Sequence, residues 1–255
     1  MNNNKIKIVI LAAGKGTRMK SEEPKALTIL KGKPFLIHIL ETIEKLDEKI
    51  RPIVVVGYKK ERIKEVLGEG YTYAEQKEQL GTGHAVMSAR QTANETPHEM
   101  VLILSTDQPV ISKQTLENVI TTHIETRATI TLGTAIVPDY EDWRIALYSN
   151  FGRIVRDTNG KVKKLVEFKN TTDEEKTIKE VNPAIYVFDA KWLWNNVDKI
   201  EMNPVRNEYL FTDIINIAFA QNKNIEAIPI TNILEALQPN SKEELEILES
   251  LLYNS

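Results

Sequence analysis

The chain has 255 residues, 42% hydrophobic and 27% charged, which suffices for one large core or two modest ones and is ordinary for a soluble protein. Its 33 basic and 36 acidic side chains leave a formal charge of -3, which argues against nucleic acid or an anionic membrane as partner. There is no cysteine, hence no disulfide or thiolate metal site; the opening M-N-N-N-K-I-K has no signal-peptide core, no apolar run reaches the ~18 residues of a membrane span, and a cytoplasmic location is expected.

The first element is Ile6 to Ala12, apolar on both faces as a buried parallel strand should be, and Pro52 to Gly57, Val101 to Ser105 and Ala128 to Ile136 repeat that pattern. Between them lie stretches with helical spacing. Phe35 to Leu46 places Leu36, Ile39, Leu40 and Ile43 on one face, and Lys59 to Leu67 and Gly81 to Ala93 are similar. Alternating strands and helices predict a doubly wound α/β sheet. After about residue 137 the pattern changes. Asn150 to Val155 and Lys161 to Phe168 flank Asp157-Thr158-Asn159-Gly160, whose Asn-Gly favours the positive backbone angles of a hairpin turn, so an antiparallel excursion is expected. Residues 169–180 are charged and predicted to be solvated, Val181 to Phe188 returns as a strand, and Tyr209 to Ala220 reads as a helix. Ser241 to Leu252 starts with a plausible N-cap serine and continues as an amphipathic helix that covers the sheet or meets a partner chain. No repeat or linker divides the chain. One unit over 1–255 is expected, with halves at about 5–136 and 137–240 and a terminal helix at 241–252.

Three stretches carry chemistry. A glycine-rich turn leaving a buried strand offers backbone amides to phosphate oxygens, and in Gly14-Lys15-Gly16-Thr17-Arg18 the turn is flanked by cations, with Lys25 following. It is not a Walker A loop, because Lys15 is followed by Gly16 and no glycine stands five residues before Gly14. Nor is it a dinucleotide fingerprint, because Met19 occupies the third glycine position. Gln76, with donor and acceptor on one amide, could match a pyrimidine edge, and Gly81 and Gly83 would let backbone amides approach it. Equally, the stretch could be only a loop and helix start. Asp107 follows the carboxyl end of a buried strand, where ligands bind in open α/β sheets, or caps the next turn.

Leu11-Ala12-Ala13-Gly14-Lys15-Gly16-Thr17-Arg18-Met19 with Pro24-Lys25 resembles the signature of the sugar-phosphate nucleotidyltransferases, and most resembles the uridylyltransferase (pyrophosphorylase) domain of the bifunctional N-acetylglucosamine-1-phosphate uridylyltransferases. Gln76 to Ala85 is similar to that family's Q-x-E-Q-L-G-T-G-H-A. The segments around Gly152-Arg153-Ile154, Glu167 and Asn182 resemble its Y-G-R-I, V-E-x-K and x-x-N-T-G-I, and Glu208 to Ile215 its E-Y-Y-x-T-D-I-I. The resemblance spans about residues 5 to 240. It implies a Rossmann-like mixed sheet of the nucleotide-diphospho-sugar transferase type, with UTP and a sugar 1-phosphate as substrates and Mg²⁺ as cofactor. Leu11, Ala12, Ala13 and Gly14 with Gln76, Gly81 and Thr82 would bind the nucleotide, and Gly152, Glu167 and Asn182 the sugar. Arg18 and Lys25, expected as exposed loop cations, would stabilise the departing pyrophosphate. Asp107 would hold the metal, joined at the place of the family's asparagine by Gln238, or by Asn240 two residues on.

The chain also departs from the pattern. Thr106 replaces a glycine, Pro183-Ala184 replaces Thr-Gly, and residues 137–150 make a longer connection. Thr106-Asp107-Gln108-Pro109 resembles instead the molybdopterin nucleotidyltransferases of the same fold. The alternatives are therefore glucose 1-phosphate with UTP or dTTP, molybdopterin with CTP, or a sugar-nucleotide sensor without turnover. The left-handed β-helix domain of the bifunctional relatives is not seen, so the trimer it builds is not expected; His84 reads as structural.

Overall fold

The computed structural model describes residues 5–141 and 148–253. The first half runs β1 (Ile6–Leu11), β2 (Ile29–Leu30), β3 (Lys33–Pro34), α1 (Phe35–Leu46), β4 (Ile53–Val56), α2 (Lys60–Leu67), β5 (Thr72–Glu75), α3 (Thr82–Ala93), β6 (Met100–Ser105), α4 (Lys113–Thr126) and β7 (Ile130–Ile136). The second half adds β8 (Gly152–Arg156), β9 (Val162–Val166), α5 (Asp173–Lys176), β10 (Glu180–Asp189), α6 (Ala190–Asn196), β11 (Met202–Asn203), β12 (Glu208–Tyr209), α7 (Asp213–Ala220), β13 (Ile225–Pro229) and α8 (Lys242–Tyr253).

The main sheet has the order β13-β7-β10-β6-β1-β4-β5, and β8 and β9 branch from β10. Its β1, β4, β5 and β6 are mutually parallel, as their two-sided apolar runs predicted. Residues of β1 alternate between two cores. Ile8 and Ile10 meet the faces of α1 and α4, whereas Val9 joins a layer with α3, α6 and α7. The β10 strand is antiparallel to both β6 and β7, so β7, expected in the parallel set, is parallel only to β13. Apolar residues on both faces report burial, not the direction of the neighbouring strand.

The expected hairpin is β8–β9, with Arg153 opposite Val166. Arg156 forks onto both Glu180 oxygens at 2.7 Å and donates to the Ala227 carbonyl, tying this excursion to β10 and β13. Arg153 is only 1% exposed and has no carboxylate partner among the described residues. Its guanidinium donates to the Phe151, Ser149 and Lys176 carbonyls and lies 4.7 Å from the Tyr140 ring centroid and 5.1 Å from that of Phe168. Carbonyls and ring faces thus surround the buried charge. The long connection expected over 137–150 includes 142–147, which lie outside the described residues.

The helix expected from Tyr209 begins only at Asp213. Tyr209 instead pairs in β12 with Met202. Ser241 does cap α8, accepting the Glu244 N–H at 3.2 Å, and Leu248 is fully buried in a third core with Leu30, Phe35 and Leu237. No helix among the described residues is long and apolar enough to cross a membrane.

His123 of α4 is 6% exposed, with Nδ1 3.0 Å from Thr131 Oγ1. Burial pushes its pKa down from 6.5 to about 4, against a weaker upward pull from Asp189. Between these values the unfolded chain binds the extra proton. Stability is therefore full above pH 6.5 and falls as pH drops toward 4, by on the order of 3 kcal/mol. Urea unfolding midpoints should fall more steeply from pH 7 to 4.5 in the wild type than in His123→Gln; parallel pH profiles would show that His123 titrates normally.

Candidate active site

The loop leaving β1 is pinned at its root. Ala12 N–H donates to Val55 O (2.9 Å), Tyr58 N–H to Ala13 O (3.1 Å), and the Thr106 hydroxyl to Leu11 O (3.3 Å). Leu11, Ala12 and Ala13 are thus continuous with the sheet, and Thr106 laces β6 to β1. Beyond them, the amides of Gly14, Lys15 and Gly16 find no partner among the described residues, and a Cβ on Gly14 would stand in open space. Free N–H groups past the end of a buried strand form an anion cradle.

Gly16 has φ +65°, and a Cβ there would lie 2.6 Å from the Cβ of Lys25. Its missing side chain lets the lysine stem cross the loop. Gly16→Ala should therefore displace Lys25 and lower kcat at least about tenfold, since a ~1 Å misplacement of a reacting group can cost 10²-fold. Steady-state turnover matching the wild type would contradict this placement of Lys25.

Lys25 is not the exposed cation that was expected: its side chain is only 12% accessible and that of Asp107 19%. Lys25 Nζ donates to Asp107 Oδ2 (3.0 Å) and Asn240 Oδ1 (2.7 Å), and Arg18, which is exposed, donates to the same Asn240 oxygen at 2.9 Å. Burial alone would raise the Asp107 pKa; the adjacent Lys25 ammonium, aided by the Ser105 hydroxyl and the main chain, reverses this and holds it below the usual carboxylate range. Asp107 Oδ1 is buried with no hydrogen-bond partner. The neighbouring Gln108 is 1% exposed, and neither amide atom has a partner.

Asn240, not Gln238, reaches this cluster. The Gln238 amide turns away to donate to the Pro183 carbonyl, while its main-chain oxygen accepts from Asn240 Nδ2 at 2.7 Å. Asn240 is held from behind as well, its N–H donating to Glu244 Oε2 at 2.7 Å. The pattern Ser241-x-x-Glu244 is a capping-box signal, and it could have directed attention to Asn240 beforehand.

At the end of β5, buried Gln76 donates from Nε2 to Gly81 O at 3.0 Å. His84 Nδ1 lies 2.8 Å from Glu78 O and 3.2 Å from Gln76 Nε2, so the ring braces the turn that precedes α3. Gly81, at φ +97°, and Gly83 make room for main chain: Cβ atoms there would fall 2.7 Å and 3.0 Å from Tyr209 O. Thr82 Oγ1 accepts the Phe211 N–H at 3.1 Å, and Tyr209 N–H donates to Leu80 O at 2.7 Å. These residues dock the segment after β12 onto the start of α3.

Gly152 pairs with Asn182 across β8 and β10, and Glu167 directly follows Val166, the partner of Arg153, so the three predicted sugar-side residues share one strip. The Gln238 amide that donates to the Pro183 carbonyl, next to Asn182, ties this strip to the segment that carries Asn240. Asn182 Nδ2 donates to the buried Tyr186 hydroxyl at 2.7 Å, and its Oδ1 accepts the Ala184 N–H at 3.1 Å. One amide hydrogen and one lone pair remain for a ligand. Burial, and then the nearby Glu167 carboxylate, push Asp213 up. Ala184 sits at φ +66° in a bulge of β10, where the resembled family has glycine. Ala184→Gly should stabilise the protein by ~0.5–1 kcal/mol by removing left-handed strain, visible as a higher urea midpoint; an unchanged or lower midpoint would show that the bulge carries no strain.

Among the described residues no three carboxylates or histidines converge to cage a metal. The donor set that exists is Asp107, with one buried unpartnered oxygen, and the Asn240 amide oxygen. Two hard oxygens suit a Mg²⁺ that keeps its remaining positions for phosphates and water.

An open mixed sheet with paired cations, and with amides that have no partner among the described residues, gathered beyond β1 and β6 is an arrangement that suits phosphate groups. Two solved structures share the fold: a UDP-glucose pyrophosphorylase complexed with UDP-glucose (TM-score 0.74, 17% identity, 98% of this chain and 99% of that one) and a CMP:2-keto-3-deoxy-manno-octonic acid synthetase complexed with CTP (TM-score 0.72, 14% identity, 98% and 99%). The MobA-like NTP transferase domain matches residues 8–175, and the chain belongs to that family and is a nucleotidyltransferase. It is similar to the bifunctional protein GlmU of Lactococcus lactis subsp. lactis (strain IL1403), 39% identical over 92% of this chain, and to that of Clostridium novyi (strain NT), 39% identical over 96%. The chain spans about half the length of these curated relatives, 49% and 51%.

Proposed function

We propose that this chain joins UTP to a hexosamine 1-phosphate, foremost N-acetylglucosamine 1-phosphate, and releases pyrophosphate. The observation that supports this reading is the tie from Pro183 O, beside Asn182, through Gln238 to Asn240, which links the Gly152–Glu167–Asn182 strip to the Lys25–Asp107 cluster. The free amides of Gly14 to Gly16 would receive the triphosphate, and Gln76 would face the base. A phosphate oxygen of the acceptor attacks the α-phosphorus in line while the bond to pyrophosphate breaks, so no group on the protein need form a covalent bond or remove a proton. Arg18 and Lys25 meet the charge that grows on the leaving pyrophosphate. Mg²⁺ held by Asp107 and Asn240 would supply further positive charge to the nucleotide phosphates. Glu167 and Asn182 orient the sugar through its hydroxyl and acetamido groups.

A second reading, transfer of the cytidylyl group of CTP to molybdopterin with release of pyrophosphate, is favoured by the string Thr106 to Pro109. A panel of nucleoside triphosphates against sugar 1-phosphates and molybdopterin, read by pyrophosphate release, separates the two. UTP with N-acetylglucosamine 1-phosphate is the expected best pair. Release with CTP and molybdopterin alone would replace it, and release with glucose 1-phosphate above the acetamido sugar would overturn only the sugar assignment.

A further inference from the structure

We propose that in the ligand-free protein the Lys25 ammonium is the resident counter-ion of Asp107, holding the place between Asp107 and Asn240 that a divalent cation takes on binding. Metal entry and the swing of Lys25 toward the phosphate cradle are then one exchange. The inference rests on the function proposed above only for the identity of the cation.

Three observations combine. Asp107 is a largely buried carboxylate, and Lys25 is its one ion-pair partner among the described residues. A carboxylate withdrawn from water requires such a partner whenever no metal is present. The oxygens within hydrogen-bond distance of Lys25 Nζ are also the two best suited to a hard cation: Asp107 Oδ2 at 3.0 Å and Asn240 Oδ1 at 2.7 Å. An ammonium and a divalent ion cannot share that pair of oxygens without strong repulsion. The lysine stem, finally, is anchored where its Cβ crosses Gly16, beside the unpaired amides of Gly14 to Gly16. A displaced ammonium therefore stays at the cradle, on a flexible four-carbon stem. Arg18, which donates to the same Asn240 oxygen at 2.9 Å, would give up that oxygen along with Lys25 and face the phosphates as well. One side chain would neutralise Asp107 in the empty protein and the phosphates in the loaded one.

The test uses Mn²⁺ alone, without nucleotide or acceptor, so its outcome is independent of which substrates the protein accepts. Calorimetric titration should show Mn²⁺ binding to Lys25→Met at least about tenfold more tightly than to the wild type, because the competing charge is gone. Binding no tighter than in the wild type, including none in either protein, would overturn the exchange. A second measurement needs no foldable Lys25→Met. In ¹⁵N-lysine-labelled wild type, the Lys25 ammonium resonance, assigned by its loss in Lys25→Arg, should move as Mg²⁺ is titrated to saturation; a resonance unchanged at saturation would show that Lys25 never leaves Asp107.

Discussion

Lys25→Ala and Arg18→Ala are each expected to lower kcat by on the order of 10²–10³-fold, the usual cost of removing one group aimed at charge that develops in the transition state. The two should differ in stability. Arg18 is exposed and its removal should leave Tm nearly unchanged. Lys25 instead neutralises a largely buried carboxylate. Breaking a fully buried pair costs ~3–5 kcal/mol, and with both side chains slightly accessible about 2–3 kcal/mol is expected for Lys25→Ala. Thermal melts beside steady-state kinetics separate the effects, and a variant of either residue with wild-type kcat would reduce the loop's cations to solvated surface charge.

A graded series is expected at the metal-side residues. Asp107→Asn should abolish turnover at any practical Mg²⁺ concentration, because it removes the one carboxylate of the donor set. Asn240→Ala should raise the Mg²⁺ requirement and also lower kcat, since the same oxygen orders Arg18 and Lys25. Gln238→Ala should change the Mg²⁺ requirement little, its amide being engaged with the Pro183 carbonyl. If Gln238→Ala proved as damaging as Asp107→Asn, the assignment of Asn240 would be wrong and Gln238 the ligand. Velocity against Mg²⁺ for the four proteins decides.

The legible parts of the sequence were those where one local property decides the structure. Ile6–Leu11 and Ile53–Val56 could be only buried strands, Phe35–Leu46 carried a clear helical face, and Asp157 to Gly160 specified its hairpin. Elements whose pattern is set by distant neighbours were not legible. Ile225–Pro229 mixes Glu226 and Pro229 into an edge strand, and Glu208–Tyr209 is extended because Leu80 and Met202 bind it there. The same limit applies at the site. Position in a motif pointed to Asp107 and Lys25 but not to the burial of Lys25, whose ammonium meets Asp107 and, from far along the chain, Asn240. Nor could sequence register choose between Gln238 and Asn240, because the direction of each side chain depends on the main chain around Pro239. The Cβ positions of Gly81 and Gly83 are taken up by Tyr209, a contact between segments far apart in the chain that the sequence could not show.

The proposed function requires direct transfer of a uridylyl group between two phosphates. It is tested by incubating the protein with Mg²⁺, UTP labelled with ³²P at the α-phosphorus, and N-acetylglucosamine 1-phosphate, then locating the label. Label is expected in a UDP-sugar at the rate of pyrophosphate release, with none bound to protein and none lost from UTP when the acceptor is omitted. Label retained on the protein, or UMP formed at the same rate with and without acceptor, would contradict it.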